Sequence, residues 1–184
     1  MRLYALADRV AGAIARLFGY AGGAVLLALV ALTCISIVGR GLFTLGIGRE
    51  FGIGPINGDF EMVELGIGFA IFAFLPWTQY SAAHARVDLF APALGERVSQ
   101  ALDVVAQLLL LGAAIVITWR LWLGMSDKLL YGETSMILQL PVWQAYAGGV
   151  AGSVGWTLVT LFCVWRAVRG LFVRNAAPRE PGRA

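Results

Sequence analysis

The ionisable side chains of this 184-residue chain stand at the edges of its apolar stretches rather than inside them. Arg40 closes the first stretch; Asp59, Glu61 and Glu64 open the second. Acids at a helix start are favoured by the helix dipole whatever else they do. A sharper account pairs Arg40 with Glu61 or Glu64 across a helical hairpin, at matched depth, and leaves Asp59 for a partner. A cation site made from the same acids is a further alternative. A second group is His84, Arg86 and Asp88. It reads either as a solvated interfacial turn or as a polar anchor that fixes a loop at the bilayer and holds a neighbouring subunit. His84 is the single histidine, which is too few for a zinc site or for a two-haem cytochrome. Cys34 and Cys163 lie in different apolar stretches, so no reactive pair or metal spacing arises. Gly148, Gly152 and Gly155, with Ala145, fall on one helical face. Small residues at that spacing let helices approach closely, within one chain or between two. No phosphate-binding loop, nucleophile elbow or zinc motif occurs. No cofactor and no nucleic-acid partner is expected.

The elements that must position these residues follow from composition. Hydrophobic residues make up 59% of the chain and charged ones 14%, with a mean hydropathy of +0.78. Soluble domains run nearer 45–50% apolar and about 25% charged. A small globule could not hide this surplus, so the chain belongs in a membrane. Charge-free runs at residues 17–38, 65–83 and 134–165, and a shorter one at 104–119 extended past Arg120, each suffice for a span of roughly 20 residues. Backbone groups in lipid must be satisfied within the segment, so each run is expected to be a helix. The chain therefore reads as an all-α integral membrane protein with spans at about 17–39, 61–82, 102–124 and 141–165. Pro76 should kink or end the second span, and Pro141 suits the first turn of the fourth.

Four spans place both tails and the middle loop on one side. That side holds ten of the fourteen basic residues, which puts both termini in the cytoplasm of a bacterial inner membrane. Trp77, Tyr80 and Trp165 then mark the inner interface; Trp119, Trp122, Trp143 and Tyr146 mark the outer one. Residues 1–16 space Leu3, Leu6, Val10 and Ile14 along one face, with arginines a heptad apart. This is expected to be an interfacial amphipathic helix ahead of the 17–171 membrane domain, a retained anchor rather than a signal peptide. Phe90, Leu94 and Val98 suggest a second surface helix in the middle loop, and residues 172–184 a flexible tail.

None of the four stretches contains Asp, Glu, Lys, Arg or His. Transporters that move ions or anions keep such groups inside the membrane despite their cost. The chain is thus not expected to carry a substrate alone. A redox or enzymatic membrane subunit is disfavoured by the missing histidines, thiol pairs and buried acids. A free-standing four-helix membrane assembly or lipid-binding protein remains an alternative.

Five motifs then converge in order: VGRGLF at 38–43, PINGDFEMVEL at 55–65, FLPWTQ at 74–79, HARVDLF at 84–90, and GETS with LPVW at 132–135 and 140–143. Together they resemble the small membrane subunit of tripartite ATP-independent periplasmic (TRAP) transporters, the DctQ family, over roughly residues 17–171. Ala83 departs from the glycine that often precedes the histidine, and residues 44–54 lengthen the first loop. The resemblance implies uptake of organic acids on an ion gradient, usually sodium. It also implies a large membrane subunit in one-to-one amount, a periplasmic substrate-binding protein and surrounding lipids as partners. The small subunit would be non-catalytic, separate from the large one, and part of the static frame around an elevator-type carrier. Arg40, Asp59, Glu61, Glu64, His84, Arg86, Asp88, Gly148, Gly152 and Gly155 are then candidates for structure or for subunit contact.

Overall fold

The computed structural model describes residues 2–47, 54–81 and 96–175. Four helices account for nearly all of them: α1 (Arg2–Thr44), α2 (Asp59–Tyr80), α3 (Glu96–Tyr131) and α4 (Trp143–Asn175). Each contains a stretch long and apolar enough to cross a membrane. Among the described residues the one β feature is an isolated bridge between Thr134 and Pro141. The expected all-α, four-span architecture is what the chain adopts.

Two boundaries differ from the sequence reading. Residues 1–16 were expected as a helix of their own, but from Arg2 onward they run into the first span without a break. At 43 residues, α1 is about 65 Å long, roughly twice the hydrocarbon thickness. No glycine or proline breaks the pattern, because Gly12, Gly19, Gly22 and Gly23 are tolerated when packing favours the helix. Its first third also packs on protein. Ala11 and Ala15 are buried against Val159, Phe162 and Cys163 of α4, with Tyr4, Ala7, Ile14 and Tyr80 around them. Leu6, Val10 and Leu17 stay exposed. Pro76, in turn, does not end α2, which continues to Tyr80. The expected surface helix of the middle loop and the residues beyond 175 fall outside the described segments.

α4 is the hub. It packs along α2 and α3 and touches the start of α1, while α2 also packs along α1. Over its most apolar stretch 56% of the residues of α4 are buried, against 6% for α3, which lies at the edge. Small residues allow the central contacts. A side-chain carbon at Gly152 would stand 2.8 Å from the backbone carbon of Phe72 and 2.9 Å from its oxygen. Phe72 is the residue whose carbonyl loses its helical donor because Pro76 has no N–H. The helix backbones therefore meet at the point where α2 is interrupted in hydrogen bonding. Gly148 faces the Phe69 ring and Gly155 the Phe18 ring, where a side-chain carbon would stand 3.2 and 2.7 Å from the ring. The small-residue face thus packs inside this chain, against α2 and α1.

Candidate functional site

Charged side chains of the described residues gather towards the two ends of the bundle. At the first end, Ser36 and Arg40 lie one helical turn apart on α1 and face the start of α2. The Ser36 hydroxyl donates to Asp59 Oδ2 at 2.5 Å, and Arg40 Nη2 stands 3.5 Å from the same oxygen. Asp59 Oδ1 accepts the Phe60 N–H at 2.9 Å. Ser36 and Asp59 are buried, whereas the Arg40 side chain is 55% exposed and its guanidinium lies 5.8 Å from the Phe60 ring centre.

This corrects the expected pairing. Arg40 meets Asp59, not Glu61 or Glu64, and Asp59 is not left for a partner. The reason is helix phase. Asp59 in the first turn of α2 points back toward α1, while Glu61, 200° further round, points to the chain between α3 and α4. There Glu61 Oε1 accepts the Ile137 N–H at 2.7 Å and Oε2 the Leu138 N–H at 2.9 Å. Glu64 is exposed. Gly58, at φ 78°, turns the chain into α2 in the left-handed region and lies under Leu138, so a side chain there would both strain the backbone and collide.

The segment that Glu61 holds is itself built as a compact turn. Ser135 N–H bonds Leu140 O at 2.9 Å, Val142 N–H bonds Glu133 O at 3.0 Å, and the Ser135 hydroxyl accepts the Leu140 N–H at 3.1 Å. Lys128 pairs with Glu133 across the end of α3. Pro141 is taken up by this turn, so α4 starts at Trp143. Met136 and Ile137 at its tip are 93% and 62% exposed.

At the other end, the helices are tied by groups that the sequence alone does not mark as ties. Gln79 Nε2 donates to Gln107 Oε1 at 2.6 Å, joining α2 to α3. Tyr80 donates to Asp8 at 3.2 Å, joining α2 to α1. Arg166 of α4 donates to the Tyr80 carbonyl at 3.5 Å, and Cys163 Sγ to the Gln79 carbonyl at 3.6 Å. Gln79 is 1% exposed, so its amide has to be satisfied by protein. The available signal was an amide close to the end of one apolar stretch, Gln79, and another close to the start of the next, Gln107. His84, Arg86 and Asp88 lie outside the described residues. Among the described residues no three His, Cys, Asp or Glu side chains come together as a metal set.

A family model for tripartite ATP-independent periplasmic transporters, DctQ component, matches residues 29–171. The chain belongs to the DctQ family. The DctQ match spans the whole of the Ser36–Arg40–Asp59 cluster, Glu61 and its turn, and the glycines of α4. The match begins 21 residues after Asp8, so the first part of α1, including Ala11 and Ala15, lies outside the matched residues. This DctQ chain is therefore a multi-pass membrane subunit of a TRAP transporter, associated by family with a large membrane subunit and a binding protein. No curated protein and no solved structure matches it.

Proposed function

We propose that this DctQ subunit is a non-catalytic scaffold in the uptake of organic acids driven by a sodium gradient. It would stand one-to-one with the large permease subunit in the bacterial inner membrane, both termini in the cytoplasm. A periplasmic binding protein would deliver the substrate. The observation that carries this reading is where polarity sits. The described spans hold their charged groups near the two ends, and Asp8, Arg40, Asp59 and Glu61 among them are engaged with other helices or with backbone N–H groups. A carrier of anions or cations would need such groups near the middle of the spans. Four helices in which only α4 is well enclosed also leave extensive apolar faces for a large membrane partner and lipid. Arg40, Asp59 and Glu61 then serve as internal ties that shape the outer end. Glu64, His84, Arg86 and Asp88 remain the candidates for subunit contact.

Co-purification and uptake test this. The tagged chain, extracted in mild detergent from cells expressing its gene cluster, should bring down a larger multi-span protein in equal amount. Proteoliposomes holding both, with the binding protein and an inward sodium gradient, should accumulate a carboxylate, and those holding the small subunit alone should not. Uptake by the small subunit alone, or recovery without any larger partner, would overturn the scaffold reading.

A further inference from the structure

The start of α1 and the end of α4 do not close on each other completely. Between them runs an open groove of ≈ 620 Å³, walled by Leu6, Val10 and Ile14 on one side and Leu158, Leu161 and Trp165 on the other. This volume lies in the range of pockets that take a small-molecule ligand. Along α1 the groove extends from Leu6 to Ile14, about 12 Å parallel to the helix. Its lining is apolar throughout, with Ala7 and Ala11 as the floor.

One end of the groove carries a cation. Trp165 packs edge-on against Tyr4, with ring centres 5.7 Å apart. The Arg169 guanidinium carbon lies 4.3 Å from the centre of the same Tyr4 ring. Stacking on the ring holds Arg169 at the groove mouth. Its neighbour Arg166 is used by the Tyr80 carbonyl and the Cys163 sulfur. Among the described residues no carboxylate pairs with Arg169, and a guanidinium so placed suits a phosphate.

We infer that this groove is a binding site for one anionic phospholipid, an acyl chain lying between α1 and α4 and the headgroup phosphate on Arg169. The charge and the shape complement each other. An arginine at one end and an apolar channel behind it match a phosphate joined to a hydrocarbon chain. The side of the membrane also fits, because the four-span topology read from the sequence assigns ten of the fourteen basic residues, Arg169 among them, to one side, where anionic lipid is attracted. The inference rests on the proposed orientation for the leaflet from which the lipid comes.

The test is native mass spectrometry of the full chain, with whatever partners it retains, after exchange into vesicles of equal phosphatidylglycerol and phosphatidylethanolamine. The wild type should retain phosphatidylglycerol about fivefold over phosphatidylethanolamine, the effect of one cation near the surface. Arg169→Gln should abolish that preference, and Arg169→Lys should keep it. Leu161→Trp, which fills the groove and leaves Arg169 in place, should lose both lipids. Equal retention by the wild type, or an unchanged preference in Arg169→Gln, would overturn the site. So would a photocrosslinker at position 161 that labels the large subunit instead of lipid. Recovery of the large subunit is read in the same sample, so loss of the scaffold reading and loss of the lipid site register separately.

Discussion

Removing the Ser36 hydroxyl should harm this protein more than removing the Arg40 guanidinium, although only the arginine bears a charge. Ser36 is fully buried and donates at 2.5 Å to an ionised, buried acceptor. A hydrogen bond to a charged group contributes about 1.5–3 kcal/mol. Hydrogen bonds between membrane helices reach about 1.7 kcal/mol at most in direct measurements. The two ranges meet at about 1.5 kcal/mol, which is the expected cost of Ser36→Ala. Arg40 reaches the same oxygen at 3.5 Å with a side chain 55% exposed. Exposed pairs of this kind are worth about 0.2–1 kcal/mol, and Asp59 keeps two donors without it. Arg40→Ala should therefore cost about 0.5 kcal/mol, the middle of that range. Thermal unfolding in detergent, followed by tryptophan fluorescence, converts these into shifts. At 2–4 °C per kcal/mol for a chain of this size, Ser36→Ala should lower Tm by roughly 3–6 °C and Arg40→Ala by roughly 1–2 °C. An Arg40→Ala shift equal to or larger than that of Ser36→Ala would refute the reasoning, because exposure would then not be what grades these two contacts.

Three further outcomes follow from the geometry. Gly152→Leu places a side chain against the Phe72 backbone, which cannot swing away, so it should destabilise by about 1–3 kcal/mol or more, whereas the same change at Gly112, with open space around it, should be close to neutral in Tm. Glu61→Ala should speed hydrogen–deuterium exchange at the Ile137 and Leu138 amides while leaving α4 protected; unchanged exchange would show that the turn holds itself. Gln79→Leu combined with Gln107→Leu should cost less than the two single changes added, with a coupling of about 0.6 kcal/mol by a double-mutant cycle in detergent; strict additivity would show that the amides find other partners.

The number and type of the elements were legible in the sequence, because a bilayer tests each segment by itself. A run of about 20 uncharged apolar residues has nowhere else to go, and its backbone must be helical wherever its neighbours lie. Residues 17–38, 65–83 and 134–165 satisfied that condition without reference to one another. The family followed from the same local order, since five short motifs in sequence need no knowledge of contacts. The break expected after residue 16 did not occur, because amphipathic spacing shows that one face is apolar but not whether lipid or another helix covers it. Here Val159, Phe162 and Cys163 of α4 cover part of it, which keeps α1 a single helix from Arg2 to Thr44.

Pairings across helices were decided only by the tertiary structure. Three acids within six positions stand at nearly the same depth, and depth was all that the sequence offered for choosing a partner for Arg40. The choice depends on the rotation of α2 about its axis, which is set by the seating of Gly152 on Phe72 and of Gly148 on Phe69. It depends equally on a turn more than seventy residues downstream, whose two free N–H groups claim Glu61. With Glu61 turned to that loop, Asp59 is the acid that faces Ser36 and Arg40. The amides of Gln79 and Gln107 show the same division: each could be seen in its own apolar stretch, but only the packed helices bring them to 2.6 Å.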